Sequence, residues 1–261
     1  MPEGDTIHRA AERLSAALVG QRIVRWYSDL AELMDARLAD RVVTSVEARG
    51  KHLLITFDDG RALHTHMRMN GRWLVRPVGW PRRVGGRRVA QLETERHLVV
   101  CVDAPVCELV RAGRVPDEVA RLGPDLLAPD VDLEEALRRL REHGSLPLGE
   151  ALLRQDLVAG IGNVYKSEVL FLRRMDPFSR VADHDDDALR ALLREARRQL
   201  RRNLHVPIRA TRRRGSGAPL WVYRRSGEDC FKCGERIAMK RQGERARSTY
   251  YCASCQGSPR T

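Results

Sequence analysis

The chain has 261 residues, of which 47 are Lys or Arg and 35 are Asp or Glu, so its formal net charge is +12 at pH 7. This length allows a sizeable buried core, and we expect two domains followed by a small module. No apolar run reaches the length of a transmembrane helix, and no signal peptide precedes the first predicted helix. These features argue against a membrane protein and favour a cytoplasmic one.

The positive charge is concentrated in the last part of the chain. Residues 201–261 contain 15 Lys and Arg against 4 Asp and Glu, whereas the preceding 200 residues have a net charge of only +1. A basic block of this size is typical of a surface that binds a polyanion, so it predicts a nucleic-acid partner and a nucleoid-associated location. The alternative is a solvated basic tail.

The first residues of the chain are Met1-Pro2-Glu3-Gly4-Asp5. Removal of Met1, which is normal before a small residue such as Pro, would expose the secondary amine of Pro2 beside the carboxylate of Glu3. An amine nucleophile next to a general acid is suited to imine chemistry, because the iminium it forms is a good electron sink. A Pro-Glu pair also occurs by chance, so this interpretation depends on the rest of the chain.

An amphipathic helix is predicted directly after this dipeptide. We expect Asp5 or Thr6 to cap its beginning and Gly20 to end it. The positive end of the helix dipole would then favour the unprotonated form of the nearby Pro2 amine. The apolar residues that recur with helical spacing are Ile7, Ala10, Ala11, Leu14, Ala17 and Leu18.

Residues 21–110 contain β-branched runs separated by turn signals, a pattern that predicts an antiparallel β-sandwich. Arg49-Gly50-Lys51 joins two of these runs, so Lys51 is expected at or near a hairpin tip. The stretch 98–110 is interpreted as a strand with Cys101 and Cys107 as small core residues. The other runs cover residues 41–48, 52–57 and 73–78.

Two histidines alternate along the strand that follows residues 52–57. His64 and His66 are two residues apart, so they share one face of a strand. A His-x-His pair is a candidate metal site, but without further ligands it is more simply explained as ordinary strand residues.

The pattern becomes helical from Leu133 onwards. Further helices are predicted over residues 148–160, 164–174 and 185–204. The turn Gly160-Ile161-Gly162-Asn163 separates two of them, and a helix, a glycine turn and a second helix form a shape that docks on nucleic acid. Asn163 is expected to cap the second of these helices and to offer its side chain and the first backbone N–H groups to a phosphate. An ordinary helical hairpin is the alternative.

Residues 209–220 are predicted to form a flexible basic loop. After it, four cysteines follow the pattern Cys230-x2-Cys233-x18-Cys252-x2-Cys255. This spacing predicts a tetrathiolate zinc ribbon with a hairpin between two knuckles, and Gly234 suits the tight turn of the first knuckle. Four protein ligands leave zinc no open position, so the site should be structural. Two disulfides or a redox pair are the alternative.

The hairpin between the two cysteine pairs is expected to face phosphates at its tip. Residues 248–251 are predicted to form its second strand. Its basic residues are Lys240, Arg241, Arg245 and Arg247.

Together these motifs resemble the formamidopyrimidine-DNA glycosylase / endonuclease VIII family of base-excision repair enzymes. The resemblance runs from end to end of the chain. The Pro-Glu-Gly start and the loop at residues 66–73 are more similar to the endonuclease VIII branch, of the type found in actinobacteria. The residues that carry it are Pro2-Glu3-Gly4, Gly50-Lys51, residues 160–168, Val222-Tyr223, Gly227-Glu228 and residues 247–252.

The motifs and the resemblance imply an α+β fold in three parts. Residues 1–124 would form an N-terminal catalytic antiparallel β-sandwich flanked by helices. Residues 130–225 would form a helix–two-turn–helix DNA-binding domain, and residues 226–261 a zinc-finger hairpin. We expect a monomer that binds double-stranded or damaged DNA, holds one structural Zn²⁺ and has no membrane partner.

The resemblance implies a bifunctional DNA glycosylase and AP lyase. Pro2 would attack the anomeric carbon of the deoxyribose, expel the base and form an imine. Glu3 would handle protons at the ring oxygen as the sugar opens. The iminium would acidify the neighbouring carbon, so that β-elimination and then δ-elimination cut the strand. Lys51 would bind a phosphate or assist at the lesion.

The resemblance also implies roles in DNA binding. Asn163 and Arg247 would bind the phosphates that flank the flipped nucleotide, and flipping is easiest at a damaged or mispaired base. Met69 would fill the void that the flipped base leaves in the stack. The alternative for Met69 is a buried core residue.

Two departures from the family pattern affect the expected substrate. Many members have Pro and Glu at the positions of Asp5 and Thr6, so the supporting carboxylate is missing, moved to Asp5 or unnecessary. Members specific for 8-oxoguanine carry an Arg/Phe-Gly wedge near residue 105, where this chain has Asp103-Ala104-Pro105-Val106-Cys107. Oxidised pyrimidines, hydantoins or abasic sites are therefore favoured.

Three other classes of protein account for part of the pattern. A zinc-ribbon DNA-binding protein without catalysis explains the charge, the helices and the cysteines, but not Pro2-Glu3 or Lys51. A degenerate family member would bind lesions without cutting. A tautomerase that uses an N-terminal proline is a small chain in which a basic zinc module would have no purpose.

Overall fold

The structure is a computed structural model that describes residues 2–80, 84–212 and 217–257. It contains two compact units, Met1–Arg121 and Leu122–Thr261. The division of the chain at residues 124, 130 and 225 stays a prediction. The loop predicted at residues 209–220 includes residues 213–216, which lie outside the described residues.

The first unit contains two four-stranded antiparallel sheets. The strand order is β1-β6-β7-β5 in one sheet and β2-β3-β4-β8 in the other. Both sheets combine with helices, so the α+β class and the antiparallel β-sandwich are confirmed. The strands are β1 (Arg25–Tyr27), β2 (Val43–Arg49), β3 (His52–Phe57), β4 (Ala62–His66), β5 (Arg72–Pro77), β6 (Arg88–Glu93), β7 (His97–Val102) and β8 (Val106–Val110).

Strand alternation places one side of each sheet in a shared apolar core. Leu53, Ile55 and Phe57 of β3 are buried in this core, since successive side chains of a strand point to opposite faces. Helix α1 (Gly4–Leu18) adds Leu14 and Leu18 to the same core. Each such side chain stabilises the fold by about 1.5–3 kcal/mol when it is fully buried. Two short helices complete the unit, α2 (Ala31–Met34) and α3 (Asp117–Ala120).

Helix α1 begins earlier than predicted. The backbone N–H groups of Thr6 and Ile7 both donate to the carbonyl oxygen of Glu3, so Glu3 is the N-cap. The prediction that Asp5 or Thr6 caps the helix is therefore wrong. Asp5 is buried inside the first turn, where its carboxylate accepts from the hydroxyl of Thr6 at 3.3 Å.

The stretch 98–110 is two strands rather than one. β7 belongs to the first sheet and β8 to the second, so the chain crosses between the sheets at residues 103–105. Asp103 has a φ of +54°, and its carboxylate accepts from the backbone N–H of Arg87 at 2.8 Å. Pro105 has no N–H to donate to a continued ladder. Cys101 and Cys107 are both buried, as expected, and burial raises the pKa of Cys107 to about 12.

The second unit contains the predicted helices, with one exception. Instead of a helix over residues 148–160, only a short helix forms. The backbone that follows it makes hydrogen bonds with residues distant in the sequence. Gly123 N–H donates to the carbonyl of Gln155, and Ala159 N–H donates to that of Pro124. The helices are α4 (Leu133–Glu142), α5 (Leu148–Ala151), α6 (Asn163–Arg173) and α7 (Asp186–Arg202), with a 3-10 turn at Val181–Asp183.

Helix α6 anchors the segment that leads to the four cysteines. Glu168 is fully buried, and its carboxylate accepts from the backbone N–H groups of Trp221, Val222 and Tyr223 at 2.8–2.9 Å. The hydroxyl of Thr211 donates to the same group. Burial raises the pKa of Glu168, and these hydrogen bonds oppose that shift.

The last part of the unit is a β-hairpin followed by a short helix. β9 (Ala238–Gln242) pairs antiparallel with β10 (Arg247–Tyr251), and α8 (Ala253–Gln256) follows. The hairpin and the strand predicted at residues 248–251 are confirmed.

Candidate active site and metal site

The N-terminal residues lie at the start of α1. Glu3 is fully buried and caps the helix through its backbone. Pro2 precedes it and is half-buried. The dipole of the 15-residue helix therefore has its positive end at this dipeptide, as the sequence predicts.

Lys51 occupies the tip of the hairpin between β2 and β3. Arg49 pairs with His52, so Gly50 and Lys51 form a two-residue turn. The position predicted for Lys51 is confirmed, and its side chain is half-buried.

The packing of α1 on β2 brings the dipeptide and the hairpin tip to the same end of the first unit. Val19, just after α1, bridges to Val43 at the start of β2. Further along, a shallow groove between the two elements is lined by His8 of α1 and Ala48 of β2. The helix is about 22 Å long and the strand about 23 Å, so they end level with each other. Glu3 and Lys51 therefore lie towards the same end of the first unit.

The loop between β4 and β5 presents Met69. Its side chain is 57% exposed, so the alternative of a buried core residue is excluded, whereas Met67 is buried. Gly71 N–H donates to the carbonyl of Met67 at 2.9 Å and closes the turn. A Cβ at Gly71 would lie 2.7 Å from the backbone of Met67, so no other residue fits there without movement.

A histidine cluster lies beside Lys51, and sequence reasoning found only two of its members. His52 joins His64 and His66, and Glu108 completes the group. Burial, then the neighbouring His66, lowers the pKa of His52 to about 3. Burial, then the cation of Arg68, lowers the pKa of His66 to about 4. Sequence reasoning missed His52 and Glu108 because they join the cluster through the strand register, which only the paired sheet reveals.

Asn163 is the first residue of α6, and Gly162 is its N-cap. The prediction that Asn163 caps the helix is therefore wrong. Its side-chain Nδ2 instead donates to the carbonyl oxygen of Ser248 at 2.6 Å. Ser248 follows Arg247, the exposed first residue of β10, so this contact brings the two predicted phosphate-binding residues together. An amide has two N–H donors, and one remains for a further acceptor.

A buried lysine, missed by sequence reasoning, supports the same contact. Lys166 of α6 donates from Nζ to the hydroxyl of Thr249 at 2.6 Å and to the carbonyl of Ser248 at 3.3 Å. A lysine within an otherwise buried helix face is the only signal the sequence offers. Lys166 holds β10 against α6 and thereby fixes the position of Arg247, the first residue of β10.

The four predicted cysteines converge. Their Sγ atoms all lie within 4.8 Å of one another, with 3.9 Å between Cys230 and Cys255 and 3.4 Å between Cys233 and Cys252. A tetrahedral Zn–S distance of about 2.3 Å requires S···S distances of about 3.8 Å, so the four thiols fit one metal ion. They are not disulfides, since that bond is about 2.05 Å long and all four are free. Gly234 has the positive φ, +79°, that the knuckle turn needs.

Within residues 2–80, 84–212 and 217–257, no other group of three or more His, Cys, Asp or Glu side chains is arranged to hold a metal. The structure shows His64 and His66 in a cluster with His52 and Glu108. In the same described residues, no helix combines the length and the apolar character that crossing a membrane requires.

The two units correspond to two domains of one family. Residues 1–123 match the model of the formamidopyrimidine-DNA glycosylase N-terminal domain, and residues 122–213 match that of the formamidopyrimidine-DNA glycosylase H2TH domain. Together they cover most of the chain. The chain therefore belongs to the formamidopyrimidine-DNA glycosylase / endonuclease VIII family, as the sequence motifs predict.

Curated relatives place the chain on the endonuclease VIII-like side of this family. It is 39% identical to a probable endonuclease 8 2 of Streptomyces coelicolor, over 99% of this chain and 95% of the relative. It is 37% identical to the DNA-(apurinic or apyrimidinic site) lyase Nei2 of Mycolicibacterium smegmatis, over 98% of this chain and 99% of the relative. Endonuclease 8 2 of Mycobacterium bovis is also 37% identical, over 98% and 100%.

Solved structures agree with the fold. The Lactococcus lactis Fpg (MutM) protein, in a complex with DNA that contains N7-benzyl-Fapy-dG, superposes with a TM-score of 0.82 at 23% identity, over 98% of this chain and 99% of that one. The same protein bound non-covalently to DNA with an AP site gives a TM-score of 0.81 with the same identity and coverage. At this level of identity the likeness shows the fold alone.

Proposed function

We propose that this protein is a bifunctional DNA glycosylase and AP lyase of base-excision repair, with damaged DNA as its partner. One observation carries the proposal: the packing of α1 on β2 brings Pro2 and Glu3 to the same end of the fold as Lys51. A nucleophilic amine, a carboxylate and a cation are the groups that imine formation next to a phosphate requires. Family membership and the named relatives support the same activity.

The amine of Pro2, freed by loss of Met1, attacks C1′ of the damaged nucleotide. The C1′–N bond to the base breaks, the base leaves with a proton, and the ring oxygen of the sugar takes up a proton as the ring opens to the iminium. Glu3 is the proton donor in this step. The buried position of its carboxylate keeps bulk water from competing for the proton.

The iminium then acts as the electron sink for strand cleavage. It acidifies C2′, and loss of that proton expels the 3′ phosphate by β-elimination. A second elimination expels the 5′ phosphate. Lys51 binds one of these phosphates or assists at the lesion, since its hairpin tip lies at the same end of the fold.

Asn163 and Arg247 bind the phosphates that flank the flipped nucleotide. The hydrogen bond from Asn163 to Ser248 supports this role, because it fixes the amide beside Arg247. The N-terminus of α6 adds a favourable field for an anion. Met69 enters the gap in the base stack, a role supported by its 57% exposure at the tip of its loop.

The metal held by Cys230, Cys233, Cys252 and Cys255 is one structural Zn²⁺. Four thiolates at tetrahedral spacing are the ligand set of structural zinc, and they leave no position for a substrate. Zinc bound there stabilises the folded hairpin and thereby the position of Arg247. We infer a location in the cytoplasm at the nucleoid, because the proposed partner is DNA.

Oxidised pyrimidines are the favoured substrates. The link at residues 103–105 uses all of its residues to cross from one sheet to the other. Ala104 is buried in the core, and no loop remains there to carry an Arg/Phe wedge into the DNA. This absence argues against the 8-oxoguanine members of the family.

Borohydride trapping tests the imine mechanism. The zinc-loaded protein is incubated with an oligonucleotide that contains an abasic site, and borohydride is added to reduce the imine. A covalent adduct is expected with the wild type and not with Pro2→Gly, while both bind the same oligonucleotide. Wild-type protein that binds without forming an adduct would overturn the lyase. It would favour the alternative, a non-catalytic or degenerate lesion-binding zinc protein.

A further inference from the structure

A chain of hydrogen bonds runs across three strands beside Lys51. His52 Nδ1 lies 2.9 Å from His64 Nε2, and His64 Nδ1 lies 2.8 Å from Glu108 Oε1. The strand register makes this chain, since His64 pairs directly with Glu108 on β8. His52 and His64 are only 5% and 1% exposed, whereas the Glu108 side chain is 56% exposed.

The chain has a direction that its chemistry fixes. An ionised carboxylate only accepts hydrogen bonds, so His64 Nδ1 donates to Glu108. In the singly protonated form of His64, Nε2 then accepts and His52 Nδ1 donates to it. Both rings are thereby held in their Nδ1–H tautomers, and Nε2 of His52 is left as an acceptor.

His66 extends the cluster to the loop that carries Met69. Its ring meets the ring of His52 edge-on, with 4.6 Å between the centroids and 82° between the planes. Its Nδ1 accepts from the backbone N–H of Arg68 at 3.0 Å. The three rings therefore connect the residue after Lys51 with the first turn of the Met69 loop.

We propose that Glu108 is a positioning residue for the Lys51 hairpin tip and the Met69 loop, acting through the tautomers of His64 and His52. This inference rests on the proposed function, in which both elements contact DNA. If the acceptor at Glu108 is lost, the Nε2–H tautomer of His64 becomes available and points a donor at the donor of His52. His52 must then take its own Nε2–H tautomer or its ring must move, and either change alters what the ring presents to the residues beside it. Displacements of about 1 Å in an active site cost as much as a hundredfold in rate.

Two substitutions at the exposed end of the chain separate this role from simple folding. Glu108→Gln keeps an oxygen that accepts from His64, whereas Glu108→Leu removes the acceptor at a position where leucine suits a strand. Glu47→Leu is the matched control. Glu47 is an exposed carboxylate on β2 of the same sheet, and it contacts Arg49 rather than a histidine.

Nitrogen-15 NMR of the full-length zinc protein without DNA gives the first readout. The wild type, Glu108→Gln and Glu47→Leu are expected to show His64 and His52 protonated at Nδ1. In Glu108→Leu the His64 signals should change to the Nε2–H form or to a mixture. The amide shifts of Lys51 and Arg68 should change with them.

Single-turnover cleavage of a lesion-containing duplex gives the second readout. We expect Glu108→Leu to lower the rate on the order of tenfold and Glu108→Gln to retain the rate. An unaltered tautomer or unaltered Lys51 and Arg68 shifts in Glu108→Leu would overturn the inference, whatever the activity. Altered tautomers with a wild-type rate would overturn it too. A wild-type protein that cannot cut refutes the proposed function instead, and the NMR readout still decides the positioning role.

Discussion

Acidification is expected to destabilise the first unit through its buried histidines. The pKa of His52 is lowered from 6.5 to about 3, and that of His66 to about 4, because burial disfavours their charged forms. The folded protein keeps both rings neutral at pH 5.5, whereas the unfolded chain protonates them below about pH 6.5. The stabilisation from the neutral rings is therefore complete above pH 6.5. It is lost as the pH falls towards 4 for His66 and towards 3 for His52.

The expected size of the effect follows from the uptake of protons. Between pH 7 and pH 5.5 an unfolded histidine takes up most of one proton and a folded one takes up almost none. The free energy of unfolding should fall by about 1.3 kcal/mol for each ring over this interval. The variant His52→Phe, which replaces one ring by an apolar ring of similar shape, should lose about 1.3 kcal/mol less than the wild type over the same interval.

Urea unfolding at the two pH values measures this difference. Tryptophan fluorescence reports mainly on the first unit, because Trp26, Trp73 and Trp80 lie there and only Trp221 lies in the second. Acid loss of the metal affects both proteins equally, so it cancels in the comparison. His205→Gln, at an exposed histidine of the second unit, is the control for removal of a histidine outside the cluster. Equal pH dependence in His52→Phe and the wild type would refute the reasoning.

Four further outcomes are expected. Arg247→Ala should weaken DNA binding and reduce the slope of log K against log salt by about one. Arg236→Ala, at another exposed arginine of the cysteine module, is the control. Unchanged affinity and slope in Arg247→Ala would exclude a phosphate contact. Chelation should release one zinc per chain and abolish DNA binding while the sandwich stays folded, as circular dichroism and a metal assay can show; retained binding would contradict the role of the hairpin. Glu168→Leu should lower the free energy of unfolding by about 3–5 kcal/mol, because the backbone N–H groups of Trp221, Val222 and Tyr223 lose their acceptor. A loss under 1 kcal/mol in urea titration would count against this. Met69→Ala should slow base excision but shift stability by less than about 0.5 kcal/mol; wild-type excision rates would remove it from the site.

Local patterns predicted much of the fold correctly. The helical spacing after Leu133 and the alternation in residues 52–57 depend on neighbours in the chain, so both elements formed as expected. The hairpin tip at Lys51 and the cysteine cluster were also predictable, since short motifs with fixed spacing define them.

The errors arose where distant residues replace local hydrogen bonds. The helix predicted over 148–160 stops after Ala151, because the backbone of Gln155 and Ala159 pairs with Gly123 and Pro124. Nothing within that segment signals such a pairing. In the same way the side chain of Asn163 does not cap α6 but contacts Ser248, which lies 85 residues further along the chain.

The sequence by itself determined the residue types that the proposed chemistry uses: a proline at position 2, a carboxylate at Glu3, a cation at Lys51 and four thiols at metal-binding spacing. These are properties of residue type and short-range order. Only the tertiary structure decided which groups meet. The packing of α1 on β2 puts Glu3 at the same end of the first unit as the Lys51 hairpin, and the register of β3, β4 and β8 joins His52 to Glu108 through His64. Such contacts depend on pairing between strands that are far apart in the chain, which no local pattern specifies.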